Sequence, residues 1–213
     1  MRSYLYCYLP IISFLLLAGR NERNNHTSPL AAFSAEWNNT RYLVCNTAAN
    51  AGYLSKEEKD VVYILNLLRT NPVLFANTVL QKYPDHSNQG YLRNIDEYKS
   101  LMDTLRKLKP LPLLYPDSLC FVSARCHAVS SGQAGYVGHK RRTAECEDSQ
   151  YYTGECCDYG HNQALAILMA LLIDEGVPSL GHRFLCLNSF SKIGVSIQPH
   201  KSYGFTAVID FIY

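Results

Sequence analysis

The run NQALAILMALLIDE, residues 162–175, is apolar nearly all round when wound at 3.6 residues per turn. A helix without a polar face has to be covered on every side, so the rest of the chain must build layers around it. The 213 residues, 47% hydrophobic and 18% charged, supply enough material for that within one globular domain.

The segments around it are of mixed type. SKEEKDVVYILNLLR opens with Ser55 and places Glu58 three residues on, a capping box, after which Val61, Ile64, Leu65 and Leu68 share one helical face. In TNPVLFANTVL, Pro72 disfavours helix at Asn71 and suits the first position of a second helix. A further helix is predicted over residues 94–108, capped by Asn94 and Glu97, with Tyr98, Leu101 and Leu105 in its apolar stripe. Three prolines make KPLPLLYPDS an extended connector. Asp117 or Ser118 then caps a helix over about residues 119–131, which Gly132 ends. YYTGECC reads as extended, and KIGVSIQ and GFTAVIDFIY are β-branched and aromatic runs joined by PHKSY, a hairpin pattern. Without regular βαβ alternation, the whole predicts an α+β domain with helices packed on a small antiparallel sheet.

The chain opens with MRSYLYCYLPIISFLLLAGR, a basic start, an apolar run and then small residues, the order of a secretory signal peptide over residues 1–19. The run is broken by Pro10 and is shorter than the roughly 20 apolar residues of a spanning helix, so no retained transmembrane helix is expected. The expected location is therefore secreted or extracytoplasmic: periplasm or cell surface if the source is bacterial. Arg20 stands where a lipoprotein box needs cysteine. Residues 20–54 show no sustained period and read as an N-terminal arm or linker before a domain over residues 55–213; Asn25 and Asn38 match the glycan acceptor pattern. Of eight cysteines Cys7 would leave with the signal, and the odd seven that remain, with no C-x-x-C spacing, read as disulfide staples with at least one thiol left over. A net charge of +2 implies no nucleic-acid partner, and HKRR, residues 139–142, reads as a solvated loop.

Three titratable residues follow glycines between these elements: His139 after Gly138, Glu155 after Gly154, and His182 after Gly181. Two imidazoles and a carboxylate, if they converge, suit a divalent cation such as zinc or proton exchange. The two histidines lie 43 positions apart, so only the tertiary fold can bring them together.

The succession NLLRTNP, SARCHAVSSGQAGYVGH, GECCDYG, GHRFLCLNSFSKIGVSI and VIDF resembles, in order, the CAP superfamily of cysteine-rich secretory, antigen 5 and pathogenesis-related proteins, its bacterial branch most of all. The resemblance runs over residues 56–213 and implies an α-β-α sandwich of the CAP/SCP type, exported, with a cleft lined by two histidines and two acids. It implies His139 and His182 as the histidines and Glu155 as the first acid. The fourth group departs from the family pattern, leaving Asp174 or Glu175 in ALLIDEG. The implied function is a binding or interaction module taking a divalent metal, a small-molecule or lipid ligand, or an extracellular protein partner. The alternative is a cleft hydrolase, a peptidase or esterase, in which a histidine and Glu155 activate Ser130, Ser131 or water, or in which Cys156 or Cys157 supplies a thiolate. A third reading is a protein of interaction alone, with the polar loop at residues 140–149 as its contact surface.

Overall fold

The computed structural model describes residues 27–213, so the expected signal, Cys7 and Asn25 lie outside the described residues. Ser55 and Glu58 exchange the two hydrogen bonds of a capping box and start α1, Lys56–Thr70. Asn71 breaks it. Pro72 then opens α2, Pro72–Phe75, which passes through a π-helical turn, Ala76–Leu80, into α3, Gln81–His86. Next comes α4, Asp96–Lys107, whose first residue follows Ile95 with no side-chain cap. The expected Asn94–Glu97 cap is thus corrected: Gly90–Asn94 is wound as a 3-10 turn, so Asn94 cannot serve as the extended cap residue.

The proline-rich connector supplies β1, Tyr115–Pro116, and Asp117 caps α5, Ser118–Ala134. There follow α6, Ala144–Asp148, β2, Gly154–Tyr159, α7, Ala164–Ile173, α8, Gly181–Cys186, and the hairpin of β3, Lys192–His200, with β4, Gly204–Ile212. The sheet order is β1-β3-β4-β2. The last three strands pair antiparallel; β1 runs parallel to β3, which makes the sheet mixed rather than purely antiparallel. The parallel edge arises because the stiff connector lies alongside β3, with the Tyr115 and Asp117 amides donating to the carbonyls of Ser191 and Ile193.

Strand pairing sets the faces. Glu155, Asp210 and Gly194 form one row across the sheet, and Cys157, Val208 and Ser196 the next row on the same side. That side packs on α5, through Ala124 and Ala128 against Cys157 and Val208. A side chain at Gly194 would place its Cβ 2.2 Å from the Cys120 carbonyl carbon, so the α5 backbone rests directly on β3. Gly132 does the same against the Pro199 carbonyl, so glycine here serves close packing, and the helix runs through it to end at left-handed Gly135. The alternate row, Cys156, Ile209 and Val195, faces the larger core, where α1 and α7 lie. Helices on both faces of the sheet complete an α+β fold.

The described part of the expected loose arm is tightly packed. Leu30, Phe33, Trp37, Tyr42, Cys45 and Ala48 are buried in the main core, and Trp37 Nε1 donates to Thr78 at 3.1 Å. Its order comes from two short 3-10 helices, Ala35–Asn38 and Thr40–Cys45, capped by Ser34 and Asn39. Turns this short produce neither the 3.6 nor the 2.0 period by which buried segments are read from sequence.

Candidate functional site

The apolar helix α7 stops at Ile173 because Asp174 adopts a left-handed conformation, φ +60. The glycine two residues on, Gly176, is the stop that composition suggests, yet an aspartate tolerates this region better than most side chains. The turn aims the Asp174 carboxylate at the next helix. One oxygen accepts from the backbone amides of His182 (2.9 Å) and Arg183 (3.3 Å), and the other meets His182 Nδ1 at 2.7 Å. Pro178, whose fixed φ suits the first turn of a helix, does not open one: α8 starts at Gly181, with Asp174 capping it from a distance in sequence. Arg183 turns inward and donates to the carbonyls of Leu172, Ile173 and Glu97 and to Ser100 Oγ, tying α8 to the ends of α7 and α4. His182 is left facing the cleft from a rigid base.

Across the cleft, β2 carries Glu155 into the side of the sheet covered by α5. Its Oε1 meets His139 Nδ1 at 2.9 Å, and its Oε2 accepts from Arg141. HKRR is therefore only partly a solvated loop: the Arg141 side chain is fully buried and also donates to Ser123 Oγ at 3.3 Å, while Arg142 lies over the Tyr136 ring. The structure brings His139 and His182 to a ring-centroid separation of 6.2 Å. His139, Glu155 and His182 thus converge, with Asp174 behind His182. Glu175 instead accepts from Tyr91 Oη at 2.9 Å.

Burial alone would push the Glu155 carboxyl up, but the His139 hydrogen bond and the Arg141 charge outweigh it and hold it below the ordinary carboxylate range. Its sheet neighbour Asp210 takes the opposite course. Fully buried, with Arg141 no nearer than 3.7 Å and no hydrogen bond to either oxygen among the described residues, it is pushed up to about 8 by burial and by the Glu155 charge. A carboxyl that holds its proton more tightly when folded gives stability that is complete below its unfolded value, about 4, and lost as pH rises through about 8. Asp210→Asn, which mimics the protonated acid, is expected to melt with wild type at about pH 4 and to rise progressively above it, by at least a few degrees at pH 9. Thermal melts at the two pH values check this; equal melting temperatures at pH 9 would refute it.

Sequence reasoning missed His127. It lies on α5 with its Nε2 2.9 Å from the Gly138 carbonyl, and burial lowers its pKa. His127, Glu155 and Cys157 each bring a ligand atom within 4.8 Å of the others, a group that could hold a metal ion. Two features oppose a cation there: Arg141 already neutralises Glu155, and burial pushes the Cys157 thiol well above its ordinary value, so binding would have to expel a proton. The signal in the sequence was the i, i+4 series Ser123, His127, Ser131, which lines one buried face of α5.

The proposed nucleophiles are otherwise engaged. Ser130 Oγ donates to the Cys126 carbonyl at 2.8 Å and Ser131 Oγ to that of His127 at 2.6 Å. Cys157 Sγ lies 3.7 Å from His139 Nδ1, but burial disfavours its thiolate, as it does that of Cys156. Cys126 and Cys146 form a disulfide that staples α5 to α6, and Cys45, Cys120, Cys156, Cys157 and Cys186 are free and buried. The sequence reading of cysteines as staples therefore applies to one pair among the described residues.

No family model matches the chain, and no curated protein matches it. Among solved structures it is similar to an outer surface protein from Borrelia burgdorferi, at 18% identity and a TM-score of 0.38, over 60% of this chain and 92% of that one. Among the described residues, no helix is long and apolar enough to cross a membrane.

Proposed function

We propose that the chain is an exported binding module of the CAP type whose cleft holds one divalent cation, zinc being the best match to its donors, between His139 and His182. The ordered motifs of the sequence support the family reading. One observation carries the metal reading: each imidazole has its Nδ1 engaged by its own buried carboxylate, Glu155 for His139 and Asp174 for His182. A carboxylate accepts, so Nδ1 bears the proton and the Nε2 lone pair is left for a metal, the second-sphere pattern of histidine-zinc sites. No hydrogen bond reaches either Nε2 among the described residues, and the two rings lie 6.2 Å apart between centroids. Imidazole nitrogens suit zinc better than calcium or magnesium, which prefer oxygen ligands. With two protein ligands, water or a bound molecule would complete the coordination. The acids act in this reading as orienting groups.

Calorimetric titration of the purified protein with zinc is the test. Saturable binding is expected, weakened by more than about 100-fold in the His139→Ala, His182→Ala double variant. Indistinguishable isotherms for the two proteins would sink the proposal.

A further inference from the structure

Beyond His182 the cleft opens into a cavity of about 360 Å³, within the range of roughly 300–1,000 Å³ typical of small-molecule sites. His182 and Val177 line both this cavity and the more open recess in front of His139, so the two adjoin. Its lining combines three features. Tyrosines 83, 91 and 159 come to it from three separate elements: α3, the turn Gly90–Asn94 and the end of β2. Leu171 and Ile173 of α7 supply an apolar wall. Three carboxylates complete it: Asp158 beside His161 at 3.1 Å, Asp174 held by His182 and by the Arg183 amide, and Glu175 beside Tyr91 at 2.9 Å.

The charge of this wall selects among ligands. Among the described residues no lysine or arginine lines the cavity, and its two histidines, His161 and His182, are each already paired with a carboxylate, so an anionic head, whether fatty acid, phosphate or sulfate, would meet carboxylates with no unpaired cation to offset them. A carboxylate has about four acceptor positions, so one partner on each of Asp158 and Glu175 leaves capacity for hydroxyl donors. Tyrosine adds a flat apolar ring beside a polar tip. Ring faces next to outward acceptors match a molecule with an apolar C–H face and a rim of hydroxyl groups.

We infer that this cavity binds a neutral saccharide, with sugar hydroxyls donating to Asp158 and Glu175 and a sugar face packing on the tyrosine wall. The inference extends the binding-module reading to an organic ligand and does not depend on metal in the neighbouring recess. It is tested with metal removed by EDTA, by saturation-transfer NMR and calorimetry against di- and trisaccharides of glucose, galactose, mannose and N-acetylglucosamine, with palmitate and a sulfated heparin disaccharide as anionic controls. At least one neutral saccharide is expected to bind saturably. Tyr91→Ala and Glu175→Gln, both at the accessible rim, should weaken it by about tenfold. Absence of binding by every neutral saccharide overturns the inference, as does binding of the anionic controls alone or binding insensitive to both rim variants. Because zinc is absent throughout, none of these outcomes bears on the His139–His182 site.

Discussion

Arg69→Met is expected to cost at least about 4 kcal/mol of stability, enough to threaten folding itself. Arg69 lies in the last turn of α1 with none of its surface exposed, and among the described residues no carboxylate accompanies it. Its guanidinium donates to four backbone carbonyls: Pro112 (2.9 Å), Cys186 (3.0 Å), Asn188 (2.7 Å) and Phe190 (3.1 Å). These belong to the connector before β1, the C-terminal residue of α8 and the irregular segment that leads from it to β3, whose carbonyls have no helix or ladder partner of their own. Burial lowers the Arg69 pKa to about 10, still high enough to keep the charge at neutral pH. Methionine would fill much of the space of the stem but orphan the four acceptors, each worth roughly 1–3 kcal/mol when buried unpaired. With typical total stabilities of about 5–15 kcal/mol, such a loss leaves little. Arg69→Lys should fall between the two, since an ammonium has three donors and no planar fork. Urea denaturation of the three proteins measures the order; a loss below about 1 kcal/mol for Arg69→Met would refute the account.

That arginine also marks the boundary of what could be read from the sequence. The elements that were legible are set by neighbours in the chain: Ser55 with Glu58, Asn71 before Pro72, and the β3–β4 hairpin around PHKSY. Arg69, Arg141 and Arg183 are charged residues that conventionally read as surface, yet all three are buried, because their forked donors serve carbonyls or carboxylates far away in sequence. Site residues divide the same way. His139, Glu155 and His182 could be picked out by the glycine before each, and the resemblance placed them in one cleft. The pairing of Glu155 with Asp210 could not be foreseen, because it depends on the register of β2 against β4. Nor could the choice between Asp174 and Glu175, which turns on a single left-handed backbone position.

Asp174 is where fold and proposed chemistry can be separated. Its carboxylate caps α8 through two backbone amides and orients the His182 imidazole through Nδ1, so Asp174→Ala removes both at once. The expected loss is about 2 kcal/mol for a buried cap, increased by the strain of alanine at positive φ, together with a zinc affinity lowered by about 10–100-fold. Asp174→Asn separates the effects. Asparagine also tolerates the left-handed region and its amide oxygen can still accept from the backbone amides, so most of the stability should survive. If the oxygen caps α8, however, the amide NH2 faces His182 Nδ1, and a donor there favours the opposite tautomer and places the ring proton on Nε2, where the metal should bind. The Asn variant is therefore expected to retain the fold, by melting temperature, and still lose most of its zinc affinity by calorimetry. Wild-type affinity in a stably folded Asn variant would reduce Asp174 to a helix cap and leave His182 without the orientation that the metal reading requires.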